Sequence, residues 1–444
     1  MANSYLNKTL GTPTNSKKFT FSAWVKKSSN KSGGHYLLDT VGQSAGSENP
    51  IAFDGDQKFR VGEYTGSNVY NYRSNAQFRD VNGWYHCVVQ GDSTQSTASD
   101  RVKLYVNNEL LTSDTNEYPS QNYDFKFNVS GNVIYVGRGI SNSGRNLDGY
   151  MAHVAFVDGS VVAPTVFGAT DSTSGIWKFK SPSGVTWGNN GFHLKFENSG
   201  NLGLDSANSN NFTVTGDLKQ ALDTPSNVYA TMNSLNPNPN VAYLEGNNTV
   251  FADSGGDLRT AVSTLGATSG KYYAEVKIIS IQDAQQVGLV AADSFAKLGA
   301  SYGNAIYQFE NSLTYMSAGK IKNYNNNTVA TGLATFTAND IIGIAADLDN
   351  SKIYFHKNGT YINSGVPTSG STGTGAYSLT ANTTYLFANA GNYNNGKVSW
   401  NFGNGFFGTT AITSAGSNGN GSLFEYDVPS GYYALNTKNL NTYG

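Results

Sequence analysis

Asp100-Arg-Val-Lys-Leu-Tyr-Val-Asn-Asn-Glu-Leu-Leu111 and Asn350-Ser-Lys-Ile-Tyr-Phe-His-Lys-Asn-Gly-Thr-Tyr-Ile362 are two versions of one pattern, one in each half of the chain. In the first, Val102, Leu104 and Val106 alternate with Arg101, Lys103 and Tyr105; in the second, Ile353 and Phe355 alternate with Lys352, Tyr354 and His356. A period of two gives a strand with one apolar and one polar face. Each run then meets Asn107-Asn108 or Asn358-Gly359, residues that accept the positive φ of a tight two-residue hairpin turn. The reading is a half-buried antiparallel sheet in each half.

Outward from these hairpins, other runs carry the same signature. Phe19, Phe21, Ala23 and Val25 alternate with polar residues, and strand-like stretches follow at 34–39, 51–53, 59–64, 84–90, 102–106, 133–136 and 151–157. After a Pro/Asn-rich interruption (Asp223-Thr-Pro-Ser and Asn236-Pro-Asn-Pro-Asn240) strands resume at 270–278, 287–291, 305–309, 341–346, 352–356, 385–388 and 397–402. Helical periodicity is absent apart from a short turn near 217–222. The expected fold is all-β: two antiparallel, jelly-roll-like β-sandwich domains over 1–216 and 246–412, a linker over 217–245, and a Gly/Asn-rich tail over 413–444.

Composition narrows the function. Of 444 residues only 14% are charged, the net charge is −2, and Gly and Tyr reach 50 and 28. A near-neutral, Tyr-, Asn- and Gly-rich chain offers no electrostatic attraction to nucleic acid or to an acidic membrane. Cys87 stands alone, so no intramolecular disulfide forms, and its strand-like setting makes it a small buried apolar residue. With neither a basic-then-apolar leader nor an apolar run of about 20 residues, the expectation is a soluble protein made in a cytoplasm, without membrane insertion.

Three stretches, Phe21-Ser-Ala-Trp-Val25, Gly83-Trp-Tyr-His-Cys-Val88 with Lys103-Leu-Tyr-Val-Asn107, and Tyr135-Val-Gly137 leading to Leu147-Asp-Gly-Tyr-Met-Ala-His-Val154, follow each other in order. They make the first half resemble the concanavalin A-like lectin/glucanase superfamily in its laminin-G-like or pentraxin-like branch. That implies a two-sheet jelly roll, often glycan-binding and in some members calcium-dependent. Gly270-Lys-Tyr-Tyr-Ala-Glu-Val276, Val287-Gly-Leu289, Gly343-Ile-Ala-Ala-Asp-Leu-Asp349, Tyr354-Phe-His-Lys-Asn-Gly359 and Val398-Ser-Trp-Asn-Phe-Gly403 make the second half resemble a SPRY (B30.2-like) domain. Such domains are implied to be non-enzymatic and to bind partners through rim loops. The pairing, with its Leu222-Asp-Thr-Pro-Ser-Asn-Val-Tyr229 connector, is similar to surface proteins of marine bacteriophages, which implies a virion location and, by the habit of phage fibres, a homotrimer.

The chemistry-bearing residues point to binding rather than turnover. A glucanase of the first family needs a Glu-x-Asp-x-x-Glu strand; the nearest run, Glu425-Tyr-Asp427, has Ser430 at the third acid. The five histidines show no metal-ligand spacing. Asp54 and Asp56, and likewise Asp347, Asp349 and Asn350, place oxygen ligands close together, which suits calcium or, equally simply, the capping of a hairpin turn. The Tyr/Asn-rich stretches carry the binding expectation. They nominate Tyr64, Tyr70, Tyr72, Arg73, Tyr324, Asn325, Tyr393 and Asn394, because tyrosine gives a sugar ring a stacking face and Asn supplies both donor and acceptor. The expected role is host attachment, a phage tail-fibre or receptor-binding protein that holds a host cell-surface polysaccharide without cleaving it. A decoration or connector protein docking other virion proteins is the alternative, and a glycan depolymerase a third reading.

Overall fold

The structure is a computed structural model that describes residues 4–40, 47–141, 143–235, 240–252, 258–281, 284–297, 305–391 and 396–444. The chain divides into two compact units, Met1–Gln220 and Ala221–Gly444, and each is a pair of β-sheets enclosing its own apolar core.

In the first unit one sheet runs, in spatial order, Thr213–Thr215, Tyr5–Thr9, Val133–Val136, His35–Thr40, Ile51–Phe53, Lys58–Tyr64 and Asn68–Gln77. The other runs Phe192–Leu194, Gly149–Asp158, Lys18–Lys27, Tyr85–Asp92, Val102–Val106 and Glu109–Leu110. Alternation decides what lies between them. Phe19, Phe21, Ala23 and Val25 point inward to meet Leu38, Ile51, Phe59, Ile134 and Val136 from the facing sheet. Cys87 lies in this core, fully buried, and desolvation drives its thiol pKa far up. The outward face of the second sheet is covered too, by the small hairpin of Gly168–Thr170 and Trp177–Phe179. That is why Lys18–Lys27 is buried along nearly its whole length.

The second unit has a large sheet in the order Val241–Leu244, Thr249–Ala252, Lys397–Asn401, Lys271–Ser280, Ile341–Asp347, Lys352–Lys357 and Thr360–Tyr361. Its partner runs Arg259–Ala267, Tyr385–Gly391, Gln286–Ala291, Leu313–Met316, Lys320–Asn323 and Asn327–Ala330. Trp400, fully buried, centres the core; it stacks on Phe402 at 5.2 Å, and its Nε1 donates to Asn389 Oδ1 at 2.9 Å. Both hairpin turns read from the sequence form as expected: Asn107 and Asn108 sit at φ 51° and 71°, Asn358 and Gly359 at 49° and 84°.

Several boundaries differ from the sequence reading. Most of the stretch read as a linker over 217–245 belongs to the second unit, because Tyr229, Ala230 and Met232 are too apolar to be left in water and are buried there. Residues 413–444 also pack at home. Phe424, Val428, Tyr432 and Ala434 join Tyr229, Tyr273 and Tyr354 in a satellite core, and Tyr433–Ala434 adds a parallel strand beside Tyr272–Tyr273. A buried carboxylate pins this segment. Glu275 accepts the backbone N–H groups of Glu425 and Tyr426, each at 2.8 Å, along with the Tyr273 hydroxyl at 2.9 Å. Residues 305–309 form a 3-10 turn, Ile306–Gln308, instead of a strand, and 217–222 carries no helix. Among the described residues the α-helices are Ala292–Lys297 and Thr437–Tyr443, and no helix there is long and apolar enough to cross a membrane.

Candidate functional site

Asn-rich sequence shapes the first wall of the site. Strand Lys320–Asn323 ends in the tight turn Tyr324–Asn326, where Asn325 and Asn326 take left-handed backbone at φ 62° and 59°, a conformation asparagine tolerates better than other side-chain-bearing residues. The turn braces itself through Asn327 Nδ2 donating to Asn323 Oδ1 at 2.8 Å and through Lys322 Nζ donating to Asn326 Oδ1. With its neighbours so fixed, Tyr324 projects a ring that is 42% exposed.

Two further segments meet it at the rim. The loop 310–312 enters strand Leu313–Met316, whose first residue lies opposite Asn323. Residues 378–380 arrive from the other sheet, where Ser378 pairs with Lys352. Thr380 Oγ1 donates to Asn311 Oδ1 at 2.9 Å, which ties these two walls together, and the Thr380 N–H donates to Tyr385 Oη at 2.9 Å. The result is a cleft of about 280 Å³ lined by Glu310, Asn311, Ser312, Asn323, Tyr324, Ser378, Leu379, Thr380 and Tyr385. Ser312 is 5% exposed, and its Oγ, closed off from the cleft opening, has no hydrogen-bond partner among the described residues. The cleft thus offers an aromatic face, amides, hydroxyls and one carboxylate.

The residues nominated from sequence separate sharply. Tyr324 lines the cleft and Asn325 is exposed beside it. Tyr393 and Asn394 lie outside the described residues. Tyr64 is 39% exposed at the end of its strand. Tyr70 and Tyr72 are corrected outright: Asn68–Gln77 is a strand whose inward face carries both rings into the core. Tyr70 packs edge-on against Tyr123 at 5.7 Å, and Tyr72 meets Tyr118 at 5.3 Å. Their spacing of two was the signal that they share a face. Arg73, on the opposite face, is held by Asp114 at 2.9 Å and by Asp54 and Asp56 at 3.3 Å each.

That pairing also corrects the calcium expectation. Asp54 Oδ1 accepts the N–H groups of Asp56 and Lys58, while Asp54 Oδ2 and Asp56 Oδ2 both face the Arg73 guanidinium. A fixed cation stands where a metal would have to sit, so the pair does not fit calcium. Asp347 and Asp349 are likewise engaged. Asp347 takes Lys271 at 2.9 Å and the Asn350 side chain at 2.8 Å, and Asp349 takes the Gly270 N–H at 2.7 Å. Among the described residues no three His, Cys, Asp or Glu side chains converge as a metal requires.

Sequence spacing missed two groupings. The cleft residues Glu310, Asn311, Ser312, Ser378 and Thr380 come from segments too far apart to show a pattern. His86, His153 and His193, scattered in sequence, gather under the hairpin on the outer face of the first unit. The His86 ring stacks on Trp24 at 4.7 Å and accepts the Trp177 indole N–H at Nδ1, so its Nε2 carries the proton that bonds Ser22. His153 stacks on Phe179 at 3.4 Å and lies 5.7 Å from His193. Burial lowers the pKa of His153 and of His193 to about 4, and that of His86 to about 3.

Comparison with known proteins finds a family model for part of the first unit and likenesses to solved structures. Residues 2–167 match the Laminin_G_3 family, described as the Concanavalin A-like lectin/glucanases superfamily. Similar solved structures include the SPRY domain of human HERC1, at 18% identity over 36% of this chain and 91% of that one, with a TM-score of 0.27. A human SPRY domain is similar at 15% identity over 36% of this chain and 94% of its own, with a TM-score of 0.27. Stonustoxin is similar at 12% identity over 39% of this chain and 27% of its own, with a TM-score of 0.29. No curated protein sequence matches the chain.

Proposed function

We propose that this chain is a non-enzymatic surface protein of a phage virion that attaches to a host cell-surface glycan, and that the rim cleft of its second unit holds the sugar. The observation that carries the reading is the cleft itself. An exposed Tyr324 lines the cleft together with Asn311, Asn323, Ser378 and Thr380, which between them meet the two demands of a sugar: an apolar face and hydroxyl partners. Glu310 is the one carboxylate among the lining residues, whereas glycoside hydrolysis usually works with a pair of acids flanking the bond. Binding without cleavage is the chemistry this lining suits.

The test is direct. Purified full-length protein is incubated with host cells and with their extracted polysaccharide, and the same is done with Tyr324→Ala and Ser378→Ala. Saturable binding by the parent, displaced by soluble sugar and reduced in both variants, supports the reading. Undiminished binding by both folded variants would falsify the cleft as the sugar site. No cell binding by the parent would move the role to docking on other virion proteins.

A further inference from the structure

The outward face of the edge strands in the first unit holds an arginine in an unusual setting. Arg138 follows strand Val133–Val136 and sits over two tyrosines, with its guanidinium carbon 4.4 Å from the Tyr5 ring centre and 5.1 Å from that of Tyr135. The two rings are themselves 5.7 Å apart and tilted by 56°, so they make a notch. Three other arginines of this unit are held by oxygen acceptors. Arg73 faces three aspartates, Arg145 pairs with Glu48, and Arg101 donates to the carbonyls of Gln95, Ser96 and Pro119. Arg138 makes no ion pair or hydrogen bond among the described residues. Asp39, directly opposite Tyr135 in the sheet, is unavailable to it, because the N–H groups of Thr40, Asn49 and Ile140 occupy both carboxylate oxygens.

A guanidinium stacked on aromatic faces keeps its edge free, and that edge is a rigid fork of N–H donors matched to two oxygens of one anionic group. Contact with two rings restricts the side chain in advance, so less rotamer entropy remains to be lost on binding. Register puts neutral hydrogen-bonding groups around it. Asn7 lies opposite Tyr135 on one side and Thr213 on the other, and Tyr5 lies opposite Thr215. These residues share one face of the sheet, half-buried or exposed. The platform therefore combines one cation, without an ion pair among the described residues, with hydroxyls and an amide.

We propose that this platform is a second sugar-binding subsite, specific for an acidic sugar, in which Arg138 takes the carboxylate or sulfate ester of a polysaccharide and Tyr5, Asn7, Tyr135 and Thr213 meet the hydroxyls around it. It lies wholly within the first unit and does not depend on the cleft described above.

The experiment is affinity electrophoresis of the full chain in native gels containing sodium alginate, dextran sulfate or neutral dextran, with mobility normalised to a polymer-free gel. The parent is retarded by alginate, by dextran sulfate or by both, and not by dextran. Which acidic polymer retards it separates the carboxylate from the sulfate ester as the recognised group. Arg138→Gln weakens that retardation at least about tenfold, the size expected for losing a charge-assisted pair of hydrogen bonds. Arg138→Lys, which keeps the charge without the fork, recovers only part of it. Lys438→Gln, which removes one exposed positive charge from the second unit, leaves it unchanged, which separates this site from a general response to charge. Equal retardation of the parent and of Arg138→Gln, or no retardation of the parent in either acidic gel, overturns the proposal.

Discussion

Tyr70 and Tyr324 are the same residue type placed by the same sequence logic into opposite environments. Tyr70 is 1% exposed between aromatic neighbours, and Tyr324 is 42% exposed at a turn. Tyr70→Ala removes a fully buried ring, so it should destabilise the first unit by about 3–5 kcal/mol in urea titrations. Tyr324→Ala touches no core and should shift stability by less than about 0.5 kcal/mol while weakening glycan binding. The buried histidines give a second prediction at this scale. His153 and His193 have folded pKa values near 4 against 6.5 when free, so between those limits the unfolded chain binds more protons. Their burial is harmless above pH 6.5, and stability falls as the pH drops from there towards 4. At pH 5 each should cost about 1–2 kcal/mol relative to pH 7, read from denaturation midpoints at the two pH values. A His193→Gln variant with the same pH dependence as the parent would contradict this assignment.

At the scale of elements, legibility followed apolar alternation. The runs around Val102–Val106 and Lys352–Lys357 were readable because every second residue is Val, Leu, Ile or Phe. Strand Asn68–Gln77 was not, since its inward positions are two tyrosines and Ser74, whose hydroxyl is satisfied by the Ala76 carbonyl. The same limit hid Leu313–Met316, Lys320–Asn323 and Asn327–Ala330, short strands whose polar residues read as turns and whose grouping builds the cleft. Turn chemistry, by contrast, could be read letter by letter. Gly359 sits at φ 84°, and a Cβ there would come within 2.8 Å of the Tyr426 ring. Gly359→Ala should therefore cost more than the roughly 1 kcal/mol of left-handed strain alone, seen as a lowered melting temperature of the second unit. Glu275→Gln should loosen the C-terminal segment, because an amide cannot accept at both ends from donors placed for a carboxylate. Limited proteolysis within 413–430 should quicken accordingly.

At the scale of the molecule, two units with separate cores predict separable folding. Fragments 1–220 and 221–444 should each give a cooperative thermal transition, whereas a cut at 245 should spoil the second by removing Tyr229, Ala230 and Met232 from its core. The sequence showed that there were two sandwiches and roughly where the break fell. It could not show that the connector and the tail close over the second of them, since that closure depends on contacts between residues hundreds of positions apart, such as Ala230 N–H to the Leu435 carbonyl.

The lone thiol in the first core has a practical corollary. Cys87 is sealed from solvent, and the protein contains no other cysteine, so any thiol reagent that marks the protein has caught the first sandwich open. The speed of that marking is a clock for breathing of one half of the molecule alone, readable on the unmodified protein by mass without a label introduced by mutation. Run with and without an acidic polysaccharide, the same clock would show whether a guest on the outer face slows the opening of the sandwich beneath it.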